Sequence, residues 1–151
     1  NASAINDHNA YIGPGQCRIG GSGCGDVTLD SFAYTVGAFG DFYHNSSSLL
    51  DAGSRDAAGA GLYHHTVRAD QIKEGNSIVD IGFHYVAADS NGAASDRDGD
   101  GLPDCFEDRN GNGRVDVDET NWMRSDNSTA SPGSLEVFTK LDQDFSKAST
   151  N

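Results

Sequence analysis

The chain has 151 residues, a formal net charge of −13 at pH 7 and a hydrophobic content of only 36%. This length allows one domain, or one domain with an appendage, around a modest core. The acidic balance, with a pI near 4.4, repels phosphate groups and excludes nucleic acid as an expected partner. No apolar run approaches the roughly eighteen residues of a membrane span. A chain that starts at Asn1 is expected to be a processed product or a segment of a longer precursor.

The first part of the chain, residues 1–88, is expected to be a glycine-rich, mainly β module. Short strand candidates lie at residues 10–12, 27–29, 32–36 and 48–50. An alanine-rich stretch, residues 52–63, predicts a short helix that its glycines weaken. The clearest strand candidate is residues 77–87, where apolar residues alternate with others.

Residues 96–119 fit a twelve-residue calcium-loop pattern twice in succession. Oxygen-bearing side chains recur at alternate positions, a glycine occupies the sixth position, and a glutamate ends each loop. The first loop supplies Asp96, Asp98, Asp100, the carbonyl of Leu102, Asp104 and Glu107. The second loop supplies Asp108, Asn110, Asn112, the carbonyl of Arg114, Asp116 and Glu119. Because calcium takes roughly six to eight oxygen ligands, we expect about two bound Ca²⁺ ions.

The alternative for this segment is an acidic, glycine-rich linker, since Asp, Asn and Gly are ordinary loop residues. A linker, however, has no reason to place a glutamate at the twelfth position of both units. Residues 89–119 hold ten acids against three arginines, which leaves a local charge of −7. Such a density of carboxylates repels itself unless a cation is present. We therefore expect the segment to be loose without metal and compact with it.

The loops are not expected to be ordinary EF-hands, because Asp108 follows Glu107 directly and leaves no room for helices between them. Pro103 suits the first turn of a short helix, so residues 103–107 are expected to be a single helical turn. The run from Asp96 to Asp104 resembles the calcium-wrapped repeats related to thrombospondin type 3 in large secreted bacterial proteins. That resemblance implies that bound ions do much of the work of a core.

A second resemblance involves an Asp-Ala-Gly-Ser turn at residues 51–54 and an Asp-Ile-Gly strand at residues 80–82. Together with residues 6–11 and 61–66, they resemble the closing region of secreted bacterial right-handed β-helix proteins. The resemblance implies the C-terminal part of a very large extracellular protein. The expected fold is mainly β: a β-solenoid end or a small β-sheet module, with an irregular calcium-wrapped segment and a terminal strand.

We accordingly divide the chain into a β-rich module (residues 1–88), tandem calcium loops (89–126), and a linker with a terminal strand (127–151). In the terminal strand, residues 135–141, apolar side chains alternate and specify one buried face. The strand either returns to its own sheet or adds to the exposed edge of a neighbouring molecule.

Two of the three cysteines, Cys17 and Cys24, enclose a glycine-rich segment that can reverse tightly enough to close a disulfide. We expect that disulfide in an oxidising compartment. A metal or redox pair is the alternative, but it lacks the two-residue spacing and further ligand cysteines. Cys105 is expected to be a small apolar residue packed against the calcium loops, with an intermolecular disulfide as the alternative.

Catalysis has little support, and we expect no catalytic site. None of the five histidines lies in a His-Glu-x-x-His or similar spacing. Neighbours on a strand point to opposite faces, so the adjacent His64 and His65 cannot easily share a ligand set. They are expected to be surface or hydrogen-bonded histidines. Sequons at Asn1, Asn45 and Asn127 are candidate glycosylation sites, but three sequons are no enrichment over chance.

The sequence thus predicts a non-enzymatic, secreted, bacterial-type structural protein that binds calcium in a cell-surface or matrix assembly, such as a fibre. Its expected partners are calcium, copies of itself or other surface proteins joined by strand addition, and glycans. The alternative is a non-catalytic, glycan-binding C-terminal module of a secreted β-helix carbohydrate-active enzyme.

Overall fold

The computed structural model describes residues 8–13 and 25–125. Within these ranges the chain is mainly β, with three two-stranded sheets and two single-turn helices joined by long loops. The strands are β1 (Ala10–Ile12), β2 (Val27–Leu29), β3 (Thr35–Gly37), β4 (Gly40–Tyr43), β5 (His65–Thr66) and β6 (Tyr85–Val86). The helices are α1 (Ala57–Ala60), between β4 and β5, and α2 (Asp104–Glu107), after β6.

The three sheets differ in strand direction. β1 and β2 are parallel, with Ala10 opposite Val27. β3 and β4 form an irregular antiparallel hairpin, and β5 pairs antiparallel with β6, with Thr66 opposite Tyr85. The strands predicted at residues 10–12 and 27–29 are confirmed. The fold class established for the described residues is therefore a set of small β-sheets, and these residues do not show a β-solenoid.

The other strand predictions differ from the structure. Residues 48–50 form a turn, and the strand predicted at 32–36 appears as β3, which begins only at Thr35. Of the long candidate at residues 77–87, only Tyr85–Val86 is a strand. Val79 instead exchanges backbone hydrogen bonds with the loop residues Gly53 and Arg55. Its alternating pattern does bury Val79, but a loop partner cannot supply the regular ladder of a strand.

Both helices are short for local reasons. α1 is capped by Asp56, whose Oδ1 accepts the N–H of Gly59 at 2.6 Å, and it ends at Gly61, which has a φ of 73°. This confirms a short helix within residues 52–63 and explains why it stops, because glycine adopts positive φ readily. α2 follows Pro103 directly, which confirms the predicted helical turn at residues 103–107.

A small core connects these elements. Its buried apolar residues are Leu29, Tyr43, Leu49, Ala57, Val67, Val79, Ala87, Ala88 and Trp122. Buried polar and charged residues are nearly as numerous: His44, His64, Thr66, Glu74, Asp104, Glu107, Asp108 and Thr120. Because burying polar groups is unfavourable unless they are paired, hydrogen bonds and counter-ions have to contribute to this fold beside apolar burial. No helix in the described ranges is long and apolar enough to cross a membrane.

Candidate metal sites

The two predicted calcium loops share one backbone shape. In each loop the glycines at the fourth and sixth positions have positive φ angles. These angles are 74° at Gly99 and 96° at Gly101 in the first loop, and 68° at Gly111 and 77° at Gly113 in the second. Because only glycine adopts such angles without strain, the repeated glycines in the sequence have a conformational cause.

The side chains at odd positions of the first loop hold this shape. Asp96 accepts hydrogen bonds from the N–H groups of Gly99 and Gly101 at 2.8 and 2.9 Å. Asp98 accepts the N–H of Asp100 at 3.2 Å. These bonds belong to the intrinsic turn chemistry of Asp, and they accompany the close approach of Asp96, Asp98 and Asp100.

The second loop repeats most of these bonds, although its first ligand accepts from the fifth position where that of the first loop accepts from the fourth. Asp108 accepts the N–H groups of Asn112 and Gly113. Asn110 accepts the N–H of Asn112 at 3.0 Å, and Asn112 accepts that of Arg114 at 2.8 Å. The two loops are therefore structural repeats and not merely repeats in sequence.

Three carboxylates converge in the first loop. One oxygen each of Asp96, Asp98 and Asp100 lies within 4.8 Å of the others. Oδ2 of Asp98 is buried and has no hydrogen-bond partner among the described residues. Burial raises the pKa of Asp98, and the charges of Asp100 and Asp96 act in the same direction. A buried carboxylate oxygen without a donor, beside two further carboxylates, fits a cation.

Two other predicted ligands of this loop, Asp104 and Glu107, are not part of that group within the described structure. Both lie on α2 and are almost fully buried. Oδ1 of Asp104 accepts the N–H of Arg97 at 2.7 Å. The N–H of Leu102, whose carbonyl is a predicted ligand, donates to Asp100 at 2.9 Å.

The second loop is held together by its own amides. Asp116 accepts the side-chain N–H groups of Asn110 at 2.9 Å and Asn112 at 2.7 Å, and these bonds lower the pKa of Asp116. Glu119 accepts the backbone N–H groups of Asn110 and Asp116. Because two of its side chains are uncharged amides, this loop concentrates less negative charge than the first. We therefore expect it to bind calcium more weakly.

His64 lies between the two loops, which sequence reasoning missed. Its side chain is 2% exposed, with Nε2 3.0 Å from Oδ2 of Asp108 and Nδ1 3.6 Å from Oδ2 of Asp104. Burial lowers the pKa of His64, and Lys73 adds to this, against the opposing Asp108 and Asp104 carboxylates. The neutral imidazole therefore donates from Nε2 to Asp108, since a carboxylate only accepts. A hydrogen-bonded histidine was expected, but no sequence spacing indicates this partner.

Two aromatic rings pack against the imidazole of His64. The rings of Tyr63 and Trp122 each lie 4.9 Å from the imidazole, centroid to centroid. Nζ of Lys73 lies over both aromatic rings, at 4.8 Å from Tyr63 and 5.0 Å from Trp122. The N–H of Tyr63 also donates to the carbonyl of Gly111 in the second loop at 3.0 Å. The second predicted calcium loop is thus packed on an earlier part of the chain.

Several other predicted features lie outside the described residues: Cys17, Cys24, Asn1, Asn127 and the terminal strand at residues 135–141. Asn45 is exposed. Cys105 is a free, half-buried thiol on α2, and burial raises the pKa of that thiol. The division into residues 1–88, 89–126 and 127–151 stays a prediction.

Comparison of the chain with protein-family models, with curated proteins and with solved structures finds no match in any of the three. Function therefore has to be inferred from the chemistry of the residues described above.

Proposed function

We propose that this chain is a calcium-stabilised structural module. The observation that carries the proposal is the group of three carboxylates, Asp96, Asp98 and Asp100, with its buried and unpartnered Asp98 oxygen. Bound Ca²⁺ supplies the positive charge that this group lacks and the coordination that the free oxygen needs. The first loop would add the Leu102 carbonyl, Asp104 and Glu107 to this set.

The second loop supports the proposal because it repeats the backbone shape of the first. Its proposed ligands are Asp108, Asn110, Asn112, the Arg114 carbonyl, Asp116 and Glu119. Every side-chain ligand in both loops is an oxygen donor, which favours calcium or magnesium over zinc or copper. Many ligands on a flexible loop favour calcium, because magnesium demands near-ideal octahedral geometry and keeps several waters.

We further propose an extracellular, non-enzymatic role in a bacterial surface or matrix assembly. Extracellular calcium modules bind with Kd values of about 10⁻⁴ to 10⁻³ M, which suits an ion that serves stability rather than signalling. The buried carboxylates of Asp104, Glu107 and Asp108 support a fold whose core includes ions. The parallel pairing of β1 with β2 supports the finer proposal of a β-solenoid end followed by thrombospondin type 3-like repeats.

Calcium is expected to stabilise the fold by about 2.7 kcal/mol per site at roughly 10 mM, if Kd is near 10⁻⁴ M. Thermal melting with calcium and with chelator measures this gain, and calorimetry counts the ions. The double variant Asp98→Asn/Asp100→Asn should lose the gain from the first loop. Asp89→Asn is the matched control, because Asp89 is an exposed turn acid before the loops. A melt that calcium does not change, with no heat of binding, would contradict the proposal.

A row of five aromatic rings whose three middle members are exposed, here called the aromatic strip, favours a second candidate function, glycan binding. Ring centroids follow one another at 4.8 Å (Phe32 to Tyr34), 5.3 Å (Tyr34 to Phe42), 6.0 Å (Phe42 to Phe83) and 4.7 Å (Phe83 to Tyr85). Tyr34, Phe42 and Phe83 are each about half exposed. Exposed apolar patches of this kind mark interaction sites, and the apolar faces of sugar rings stack on aromatic rings.

Retention of the protein on insoluble polysaccharides tests this second function. The double variant Tyr34→Ala/Phe83→Ala is expected to abolish retention, because it removes the stacking surface. Met123→Ala is the control, since Met123 is an equally exposed apolar side chain outside the aromatic strip. Sedimentation of the same proteins separates glycan binding from assembly. Self-association that the double variant abolishes, without any retention on polysaccharide, would favour the assembly role instead.

A further inference from the structure

The backbone around His64 is fixed from three directions. The carbonyl of His64 accepts the N–H of Ala87 at 2.9 Å. The carbonyl of the preceding residue, Tyr63, accepts the N–H of Gly75 at 3.0 Å, while its N–H donates to Gly111. The backbone of Tyr63 and His64 is therefore held in place, and this fixes the point from which the imidazole extends toward the two loops.

The imidazole holds one particular carboxylate. Its Nε2 lies at hydrogen-bonding distance, 3.0 Å, from Oδ2 of Asp108, whereas its Nδ1 is 3.6 Å from Asp104. Asp108 also accepts the N–H groups of Asn112 and Gly113. Three donors thus fix this carboxylate, which has about four lone-pair sites and so keeps capacity for an ion. Asp108 is the first ligand of the second loop.

We propose that His64 is a positioning residue for the second calcium loop: it orients Asp108 for Ca²⁺ and ties occupancy of that loop to its packing on residues 61–64. This inference rests on the proposed calcium-binding function. The contact that supports this role is geometric: Nε2 of His64 lies 3.0 Å from Oδ2 of Asp108. Donors that orient a metal ligand in this way typically contribute about 10–100-fold to metal affinity.

The experiment isolates the second loop. Asp96→Asn, Asp98→Asn and Asp100→Asn together silence the first loop, so that calorimetric titration with calcium reports on the second. Three substitutions of His64 are then compared in this background. His64→Phe keeps a ring against Tyr63 and Trp122 but has no donor, His64→Gln keeps a donor without the ring, and His64→Met has neither.

Calcium affinity and stability should follow different properties of these variants. Calcium affinity should depend on the hydrogen-bond donor. The His64→Phe and His64→Met variants should therefore lose about 10–100-fold in affinity, whereas His64→Gln should retain most of it. Stability in chelator should depend on the ring, so the His64→Phe variant should be more stable than the His64→Gln and His64→Met variants. His44→Phe is the matched control, because His44 is equally buried but bonds the Ile81 carbonyl away from the loops. It should lower stability without changing calcium affinity.

The outcomes separate this inference from the proposed function. Equal calcium affinity in the Gln and Met variants would overturn the positioning role, even if His64→Phe did not fold. If calcium binds to the unmodified protein but not to the loop-one background, the second loop is no site and the inference falls alone. If the unmodified protein binds no calcium, the proposed function falls as well.

Discussion

Replacement of Gly111 by alanine is expected to destabilise the protein by about 3 kcal/mol or more, whereas Gly99→Ala should lower stability by only about 1–2 kcal/mol. Both glycines occupy the fourth position of a proposed calcium loop, with φ angles of 68° and 74°. The strain of placing an L side chain at positive φ is therefore the same in both.

The difference arises from what surrounds each loop. A methyl group at Gly111 would overlap the carbonyl oxygen of Gly61, whereas nothing lies within 4 Å of the same position at Gly99. Backbone atoms cannot move aside as the end of a flexible side chain can, so the second loop would have to move away from Gly61. Urea unfolding of both variants at saturating calcium, where the loops are expected to be compact, measures the difference. Equal destabilisation would mean that the second loop is not packed on this part of the chain.

Removal of the Glu74 carboxylate by Glu74→Ala is expected to lower stability by about 3–5 kcal/mol. Glu74 is buried and accepts hydrogen bonds from Nε2 of His84 at 2.7 Å, the N–H of Asp80 at 3.2 Å and Oγ of Ser77 at 3.0 Å. Without it, these donors lose their partner in the interior. Asp70→Asn is the control, because Asp70 forms an exposed ion pair with Arg68 and should contribute at most about 1 kcal/mol.

The same site predicts a pH dependence. Burial alone would raise the pKa of Glu74, but the hydrogen bonds from His84, Asp80 and Ser77 outweigh it and hold that pKa below the ordinary value. A carboxyl group whose pKa is lower in the folded state stabilises the fold above its unfolded pKa, about 4.3. This stabilisation is lost as the pH falls through the folded pKa.

The stability difference between the wild type and Glu74→Gln should therefore shrink as the pH falls below about 4.3. Urea unfolding in chelator, between pH 7 and acid pH, measures it without a contribution from bound calcium. A difference that stays constant over this range would show that the charge of Glu74 does not contribute.

Several local features of the structure could be predicted from the residues that form them. Pro103 followed by a single helical turn, the strands at residues 10–12 and 27–29, and the positive φ of Gly101 and Gly113 follow from short-range rules. For Pro103 and the two glycines the residue's own conformational preference decides the outcome. The positions of β1 and β2 were predictable too, but their pairing with each other joins segments that are distant in the sequence.

Features that depend on distant partners could not be predicted in the same way. His64 and His65 are neighbours of one residue type, yet His64, in the turn before β5, contacts Asp108, whereas His65 is the first residue of β5. Val79 has the alternating pattern of a strand but meets Gly53 and Arg55 in a loop. Hydrophobic alternation correctly predicted that Val79 and Ala87 are buried, but not that Phe83 on the same predicted face is exposed, because the burial of each residue depends on partners that the pattern does not specify.

The packing of Trp122 on Tyr63 determines how the chain would respond to mechanical tension. Trp122 follows the last proposed ligand, Glu119, and packs on Tyr63, which precedes the first loop. Pulling on the chain beyond residue 125 would therefore load the contact between these two rings before it loaded either loop. Because Trp122 is 2% exposed and lies beneath Lys73, that contact has to rupture first. In a tethered protein, bound ions would be shielded from force until the rings separate.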